Sequence, residues 1–219
     1  MQKYSVFSLI KNAFSNHQNW EVAWKDPTPK SEYDVVIIGG GGHGLATAYY
    51  LAKEHNIRNV AIIEKGWIGG GNVGRNTTII RSNFMYDANA KFNEFGMDLW
   101  RNLSQELNFN VMFSPRGIIN LAHSDAQMNA YARRGNSMRL NGIDAKLLDR
   151  DEVKKLIPMA DFSDEVRFPI FGGLMQPSAG TARHDAVAWG YARQADDMGV
   201  DIIQNCEVIG FDVSAGKIN

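Results

Sequence analysis

The sequence predicts an α/β fold, and three observations in its first third carry that prediction. Val35-Val36-Ile37-Ile38 is a continuous β-branched run closed by glycines, the pattern of a strand buried on both faces of a parallel sheet. Leu45, Ala48, Tyr49 and Ala52 then recur at helical spacing up to His55, with alanines small enough for close packing of helix on sheet. Val60-Ala61-Ile62-Ile63 repeats the first run. Strand, helix and strand within about 30 residues make a βαβ unit, whose crossover is right-handed.

The remaining elements follow in order. Residues 1–30 read as an N-terminal arm packed on the body. Phe7, Leu9, Ile10 and Phe14 share one side of a short helix, Trp20 and Trp24 serve as anchors, and Pro27 and Pro29 end the arm. Gly66 to Arg81 is rich in Gly, Asn and Thr and lacks periodicity, and a loop of that length in a compact domain is usually functional. A helix with Phe92, Phe95, Leu99 and Leu103 as its apolar stripe comes next. A strand over 118–122, a helix over 125–140 and a short helix over 149–156, stopped by Pro158, follow. The last helix spans 185–198, with Val187, Ala188, Tyr191, Ala195 and Met198 apolar and Gly199 ending it. A strand over 200–208 encloses Cys206 as a small core residue, and a further strand begins near Lys217.

Composition narrows the function. Of the 219 residues 44% are apolar and 21% charged, which suits a globular core and excludes bulk disorder. The 23 basic and 24 acidic side chains leave a net charge of −1, against a nucleic-acid partner held by phosphate neutralisation. One cysteine forms neither an internal disulfide nor a thiolate cage, and the five histidines show no metal-ligand spacing; no metal is expected. No apolar run approaches the roughly 18 residues of a membrane span. Lys3 and Lys11 flank a short apolar stretch, but Asn12, Asn16, His17 and Gln18 follow without a cleavage site, so the reading is no signal peptide, no membrane partner and a cytoplasmic location.

Gly39-Gly40-Gly41-Gly42-His43-Gly44 contains G-x-G-x-x-G as Gly39, Gly41 and Gly44. Alone the motif is weak. Here a buried strand precedes it, an alanine-rich helix follows, and the second strand ends in Glu64, 20 residues past Gly44, where a carboxylate accepts hydrogen bonds from a ribose. Gly39 permits the turn, Gly41 the approach of a pyrophosphate, Gly44 the close packing of helix on strand, and the helix N-terminus supplies free N–H groups for phosphate. This is a Rossmann-like dinucleotide-binding unit. The acid favours FAD or NAD over NADP. The loop Gly69 to Arg81, with its amides, hydroxyls and the guanidinium groups of Arg75 and Arg81, suits an extended flavin cofactor or equally a solvated surface. His43 lies in the phosphate loop, where its backbone matters more than its ring. His184 stands at a helix start in Arg183-His184-Asp185, a place for a base, a nucleophile or a merely hydrogen-bonded ring. No hydrolase triad is visible.

Taken together, Tyr33 to Tyr50, Glu64-Lys65-Gly66-Trp67, Arg75 to Asn83, Arg139 to Asp144 and His184 to Val208 resemble the β subunits of heterotetrameric sarcosine oxidases, FAD-dependent amine oxidases. The resemblance runs from about Trp20 to the last residues. It implies a glutathione-reductase-like FAD-binding domain over 31–85 and 180–219, and part of a substrate or interface domain over 86–179. It implies oxidative demethylation of sarcosine at FAD and electron transfer to a covalent FMN and then to dioxygen. The products are glycine, hydrogen peroxide and a one-carbon unit for tetrahydrofolate, and the partners are α, γ and δ subunits.

Residue by residue, the resemblance assigns His184 to the covalent FMN and Gly42, His43, Glu64, Asn72, Thr77 and Ile79 to FAD. Val208, at the end of the third parallel strand, matches a backbone contact to the adenine end. Family members run to about twice this length, so the chain reads as an N-terminal half, and the resemblance assigns no catalytic residue within it. The competing readings are a single-flavin secondary-amine dehydrogenase, a non-catalytic FAD-binding subunit and an NAD-dependent dehydrogenase.

Overall fold

A computed structural model describes residues 5–18 and 22–218. In chain order they form α1 (Val6–Phe14), β1 (Val35–Ile38), α2 (Gly42–His55), β2 (Val60–Ile63), a 3-10 turn (Asn72–Arg75), β3 (Ile79–Ile80), α3 (Asp87–Glu106), β4 (Ile118–Ala122), α4 (Asp125–Leu140), β5 (Lys146–Asp149), α5 (Arg150–Leu156), β6 (Gly172–Gln176), β7 (Gly180–Thr181), α6 (His184–Asp197), β8 (Asp201–Ile203), β9 (Val213–Ser214) and β10 (Lys217–Ile218). They divide into two compact units. The first comprises Met1–Thr77, Gln105–Val111 and Arg183–Asn219; the second comprises Thr78–Ser104 and Met112–Ala182.

The first unit is built on a parallel sheet in the order β1-β2-β8, with Val36 opposite Ala61 and Ile62 opposite Ile202. This is the 3-2-1 arrangement of one half of a doubly wound sheet. Helices α2 and α6 pack on each other and on the sheet. Leu45, Ala48, Val60, Ala61, Ile62, Ala188, Ala192, Ala195 and Ile202 are fully buried between them. Tyr49, Tyr50 and Tyr191 close one end of that layer, with ring centroids 4.9–6.1 Å apart. Lys53 bridges this cluster to Glu106 at 2.8 Å.

The second unit holds an antiparallel sheet in the order β4-β6-β5, carrying α4 and α5, and a short β3-β7 ladder. Two apolar clusters fill it: Ala90, Met138, Ile143 and Leu174, and Leu148, Val153 and Ile170. Ser124 caps α4, and Asp149 and Glu152 form a capping box at the start of α5, so each helix begins where its sequence supplies an acceptor for the free amides.

Four expectations change. Val36 and Ile38 are 50% and 54% exposed: β1 is the edge strand of a three-stranded sheet and its alternate side chains face solvent. In α1, Phe7 and Phe14 are 83% and 88% exposed. The helix does not pack its apolar side on the body, and Asn12 is its buried residue; Trp24 is half-buried, and Trp20 lies outside the described residues. In α3, Leu103 of the expected stripe is buried, but Phe92 and Phe95 face solvent and Ala90 and Met97 are buried instead; the small Ala90 fits against Met138 and Leu174 of α4 and β6. Strand β8 stops at Ile203: Asn205 adopts φ +55°, its N–H donates to the Gly66 carbonyl, and the Cys206 N–H donates to the Glu64 carbonyl. A left-handed residue ends the extended backbone, so Cys206 and Val208 lie half-buried beyond the strand.

Candidate functional site: a glycine cradle and an arginine pair

In the first unit, the carboxyl ends of β1 and β2 meet the N-terminus of α2, as the sequence pattern requires of a nucleotide cradle. Gly39 turns at φ +107°, and its N–H donates to the Ile63 carbonyl at 2.8 Å. A Cβ on Gly44 would stand 2.1 Å from the Gly39 carbonyl oxygen, so only glycine allows α2 to start there. The first helical bond is Leu45 N–H to the Gly41 carbonyl at 3.0 Å. The amides of Gly42, His43 and Gly44 precede it and have no partner among the described residues. They are the free donors that a pyrophosphate accepts.

Glu64 does more than wait for a ribose. Its Oε2 accepts the Gly40 N–H at 2.7 Å and its Oε1 accepts the Gly66 N–H at 2.9 Å, so one carboxylate ties the glycine loop to the segment leaving β2. That segment folds back: the Gly69 N–H donates to the Gly40 carbonyl at 2.9 Å, and Val73 closes over the loop at Gly42, where a Cβ would meet it at 3.1 Å. Asn72 opens the 3-10 turn and is exposed, as are His43 and Thr77. His43, Gly42, Glu64 and Asn72 therefore belong to one structure. Its shape, a backbone cradle closed by an acid and roofed by a turn, fits a dinucleotide. The sequence reading missed Val73 and the Gly40–Glu64 bond, which no spacing rule signals.

His184 is the first residue of α6 and is half-buried; its Nδ1 is buried with no hydrogen-bond partner among the described residues. Its neighbours are otherwise engaged. Arg183 Nε donates to Asp185 Oδ1 at 2.9 Å, Arg183 NH2 also bonds Asp185, and the Ala186 N–H donates to Asp185 Oδ1 at 2.9 Å. The Arg183 guanidinium holds the Asp185 carboxyl below the usual carboxylate range. Buried polar atoms are as a rule hydrogen-bonded, so this ring nitrogen is an exception. Val208 lies on the irregular segment after β8, two residues beyond Cys206, whose N–H donates to the Glu64 carbonyl.

In the second unit, Ile79 lies on β3 and is 45% exposed, next to Thr78, whose φ of +61° is strained for a β-branched residue. Beyond β3 the sequence Arg81-Ser82-Asn83 enters a polar network that sequence reading did not find. Ser82, Asn83 and Gln176 are fully buried. Gln176 Oε1 accepts the Ser82 N–H at 3.1 Å, and its Nε2 donates to Ser82 Oγ at 2.7 Å. Asn83 Nδ2 donates to Asn120 Oδ1 at 2.8 Å. Asn83 Oδ1 accepts from Arg81 NH1 at 2.7 Å and from Arg134 NH2 at 3.2 Å, while Arg134 Nε donates to the Asn83 carbonyl at 2.7 Å. Two guanidinium groups thus share one neutral side chain. Neither has a carboxylate partner among the described residues. Burial, and then the Arg81 charge, hold Arg134 below the usual guanidinium value.

Residues 34–219 match the family of FAD dependent oxidoreductases. The chain belongs to that family. Its FAD-binding fold accounts for the β1-β2-β8 sheet and the glycine cradle. The chain is 60% identical over 216 residues to the sarcosine oxidase subunit beta of Rhizobium meliloti (strain 1021), covering 99% of this chain and 52% of that protein. It is 52% identical to the subunit beta of Rhodobacter capsulatus, covering 100% of this chain and 52% of that protein. The crystal structure of L-proline dehydrogenase from P. horikoshii superposes with a TM-score of 0.78 at 28% identity, over 87% of this chain and 48% of that one. The chain spans about half the length of the curated relatives it matches. Among the described residues, no helix is long and apolar enough to cross a membrane, and no three His, Cys, Asp or Glu side chains gather to hold a metal ion.

Proposed function

We propose that this chain is the FAD-binding part of a β subunit that oxidises sarcosine. The observation that supports this most directly is the 60% identity to a sarcosine oxidase subunit beta across 99% of the chain, together with a cradle that fits a dinucleotide. Sarcosine and proline share a secondary amine beside a carboxylate, so the relatives agree on a substrate class as well as on a fold. Gly42, His43 and Gly44 offer their amides to the FAD pyrophosphate. Glu64 holds the loop and faces the ribose. Asn72, Thr77 and Val208 are the further FAD contacts assigned to the first unit, and His184 offers its orphaned ring nitrogen to a covalent FMN. When bound, FAD supplies a two-electron acceptor for the amine C–H bond and FMN an outlet to dioxygen.

The chain's own contribution is binding and orientation. Its cradle fixes the cofactor by backbone donors that need no reorganisation. The cationic Arg81, half-buried and unneutralised, offers a carboxylate partner to an amino-acid substrate. On this reading the first unit is the cofactor domain, the second belongs to the substrate side, and other subunits and folate complete the one-carbon chemistry.

The test is the fate of the yellow colour. The full-length subunit, made with its partner subunits and precipitated with acid, is expected to keep one flavin in the pellet and release the other. His184→Ala is expected to release both. Release of all flavin from the unaltered protein removes the covalent FMN and leaves a single-flavin secondary-amine dehydrogenase. Flavin that never bleaches with sarcosine removes the enzyme reading altogether.

A further inference from the structure

We propose that Arg134 is a positioning residue that makes Arg81 an anion-binding group, acting through the buried side chain of Asn83, for a ligand of the small-carboxylate class. This deepens the reading above, in which Arg81 faces the carboxylate of an amino acid, and rests on it for the identity of the ligand. It does not rest on it for the site.

The argument begins with what holds each guanidinium. Arg81 makes one hydrogen bond, NH1 to Asn83 Oδ1 at 2.7 Å, and lies over the Phe84 ring 5.5 Å from its centroid. One bond and one ring face leave most of its five N–H donors unspent. Arg134, on α4, spends its donors on Asn83: Nε at 2.7 Å and NH2 on the backbone carbonyl, and NH2 again on Oδ1 at 3.2 Å. Asn83 is fully buried and tied on its far side to Asn120. The amide is therefore fixed from two directions, and its oxygen is the peg from which Arg81 hangs.

Two like charges on one neutral peg repel each other, and among the described residues no acid pairs with either. The acid in the adjoining network, Glu94, is spent elsewhere: Oε2 accepts from Ser82 Oγ at 2.6 Å and Oε1 lies 3.4 Å from Arg101. A half-buried cationic pair with no counterion is completed by an anion, and a planar fork with free N–H groups matches a carboxylate. Arg134 cannot do this itself, because its Nε and NH2 are turned into Asn83. It sets where Arg81 points and adds positive potential behind it.

The test uses acetate as the probe and the full-length, flavin-loaded subunit in its complex, by calorimetric titration at low salt. The unaltered protein is expected to bind acetate, and Arg81→Gln to abolish that binding. Arg134→Gln is expected to weaken it about tenfold, as the loss of charge-assisted positioning implies. The double variant, like Arg81→Gln, is expected to bind no acetate, since Arg134 acts only through Arg81. Flavin content stays unchanged in all three. For carboxylate-bearing substrate, Arg134→Gln raises KM with little change in kcat, whereas a secondary amine lacking a carboxylate is turned over as before.

Acetate affinity unchanged in Arg134→Gln, or acetate binding that survives Arg81→Gln, overturns the proposal. If Arg134→Gln fails to fold, Arg134→Lys keeps the charge and removes the fork, and unchanged acetate affinity there overturns it equally. Acetate binding lost as proposed while sarcosine is not oxidised leaves the anion site standing and removes the substrate reading instead.

Discussion

The glycine cradle of the first unit and the arginine network of the second solve opposite problems. The cradle works by leaving atoms out. Its donors are backbone amides, and its one ionised side chain, Glu64, is used to hold backbone. The network works by putting atoms in: Ser82, Asn83 and Gln176 are polar side chains buried completely, each satisfied by another side chain. A site made of absent Cβ atoms fails by collision, and a site made of buried polar groups fails by leaving partners unpaired. The two failures have different sizes and different signatures.

The cradle should fail hardest. Gly44→Ala forces a Cβ to within 2.1 Å of the Gly39 carbonyl oxygen, a backbone atom that cannot swing aside. We expect loss of most bound flavin and a destabilisation of about 3 kcal/mol, read by flavin absorbance of the purified full-length subunit and by urea unfolding. Gly71→Ala is its control: nothing lies within 4 Å of that position, so flavin should be retained. Equal losses from both substitutions would mean that the loop needs flexibility everywhere rather than space at one point.

The network should fail next. Gln176→Leu keeps apolar volume but leaves the Ser82 N–H and hydroxyl without their buried partner, at a cost of about 2 kcal/mol. The distinguishing signature is unfolding at lower urea with flavin content per folded protein unchanged. Flavin lost in proportion would show that the two regions are not separable.

Glu64→Gln tests the one side chain in the cradle. The amide keeps an acceptor for one of Gly40 and Gly66 and turns an NH2 toward the other. About 1.5 kcal/mol is expected, with weaker flavin retention on dilution. Full retention would show that the loop holds its shape without the clamp.

How much of this was legible in the sequence follows the same division. The cradle is written in local order: a β-branched run, four glycines and a histidine, an alanine-rich helix, and an acid one strand later. Each feature lies near its partner in the chain, and each has one stereochemical use. The second unit's network joins Asn83 to Asn120 and Arg134, and Ser82 to Gln176, across 37 to 94 residues, and polar residues at such separations carry no period.

The misplaced faces have physical causes too. Helix α3 has two apolar sides, and periodicity selects the one with larger side chains, Phe92 and Phe95, although the face with Ala90 and Met97 is the one its neighbours have room for. The alternation in β1 shows the same limit, since four β-branched residues announce burial without saying how many neighbours the strand has. Strand β8 ended early because Asn205 is left-handed, a conformation that lets its N–H reach the Gly66 carbonyl and the Cys206 N–H the Glu64 carbonyl.

The smallest effect separates charge from cap at the start of α6. Asp185 is held below its ordinary value of 3.8 by Arg183 first. A carboxyl whose folded value is depressed contributes stability that is present above its unfolded pKa and lost as pH falls through the folded one. Arg183 is 61% exposed, so solvent screens the pair and its contribution is small. Asp185→Asn keeps an acceptor for the Ala186 N–H and removes only the charge. We therefore expect the variant to be slightly less stable at pH 7 and at low salt. The difference should shrink with added salt and close as pH falls below the carboxylate range. A gap that persists in acid would exclude the ion pair as its source, because the Asp185 carboxyl is then neutral and both proteins keep the acceptor for the Ala186 N–H.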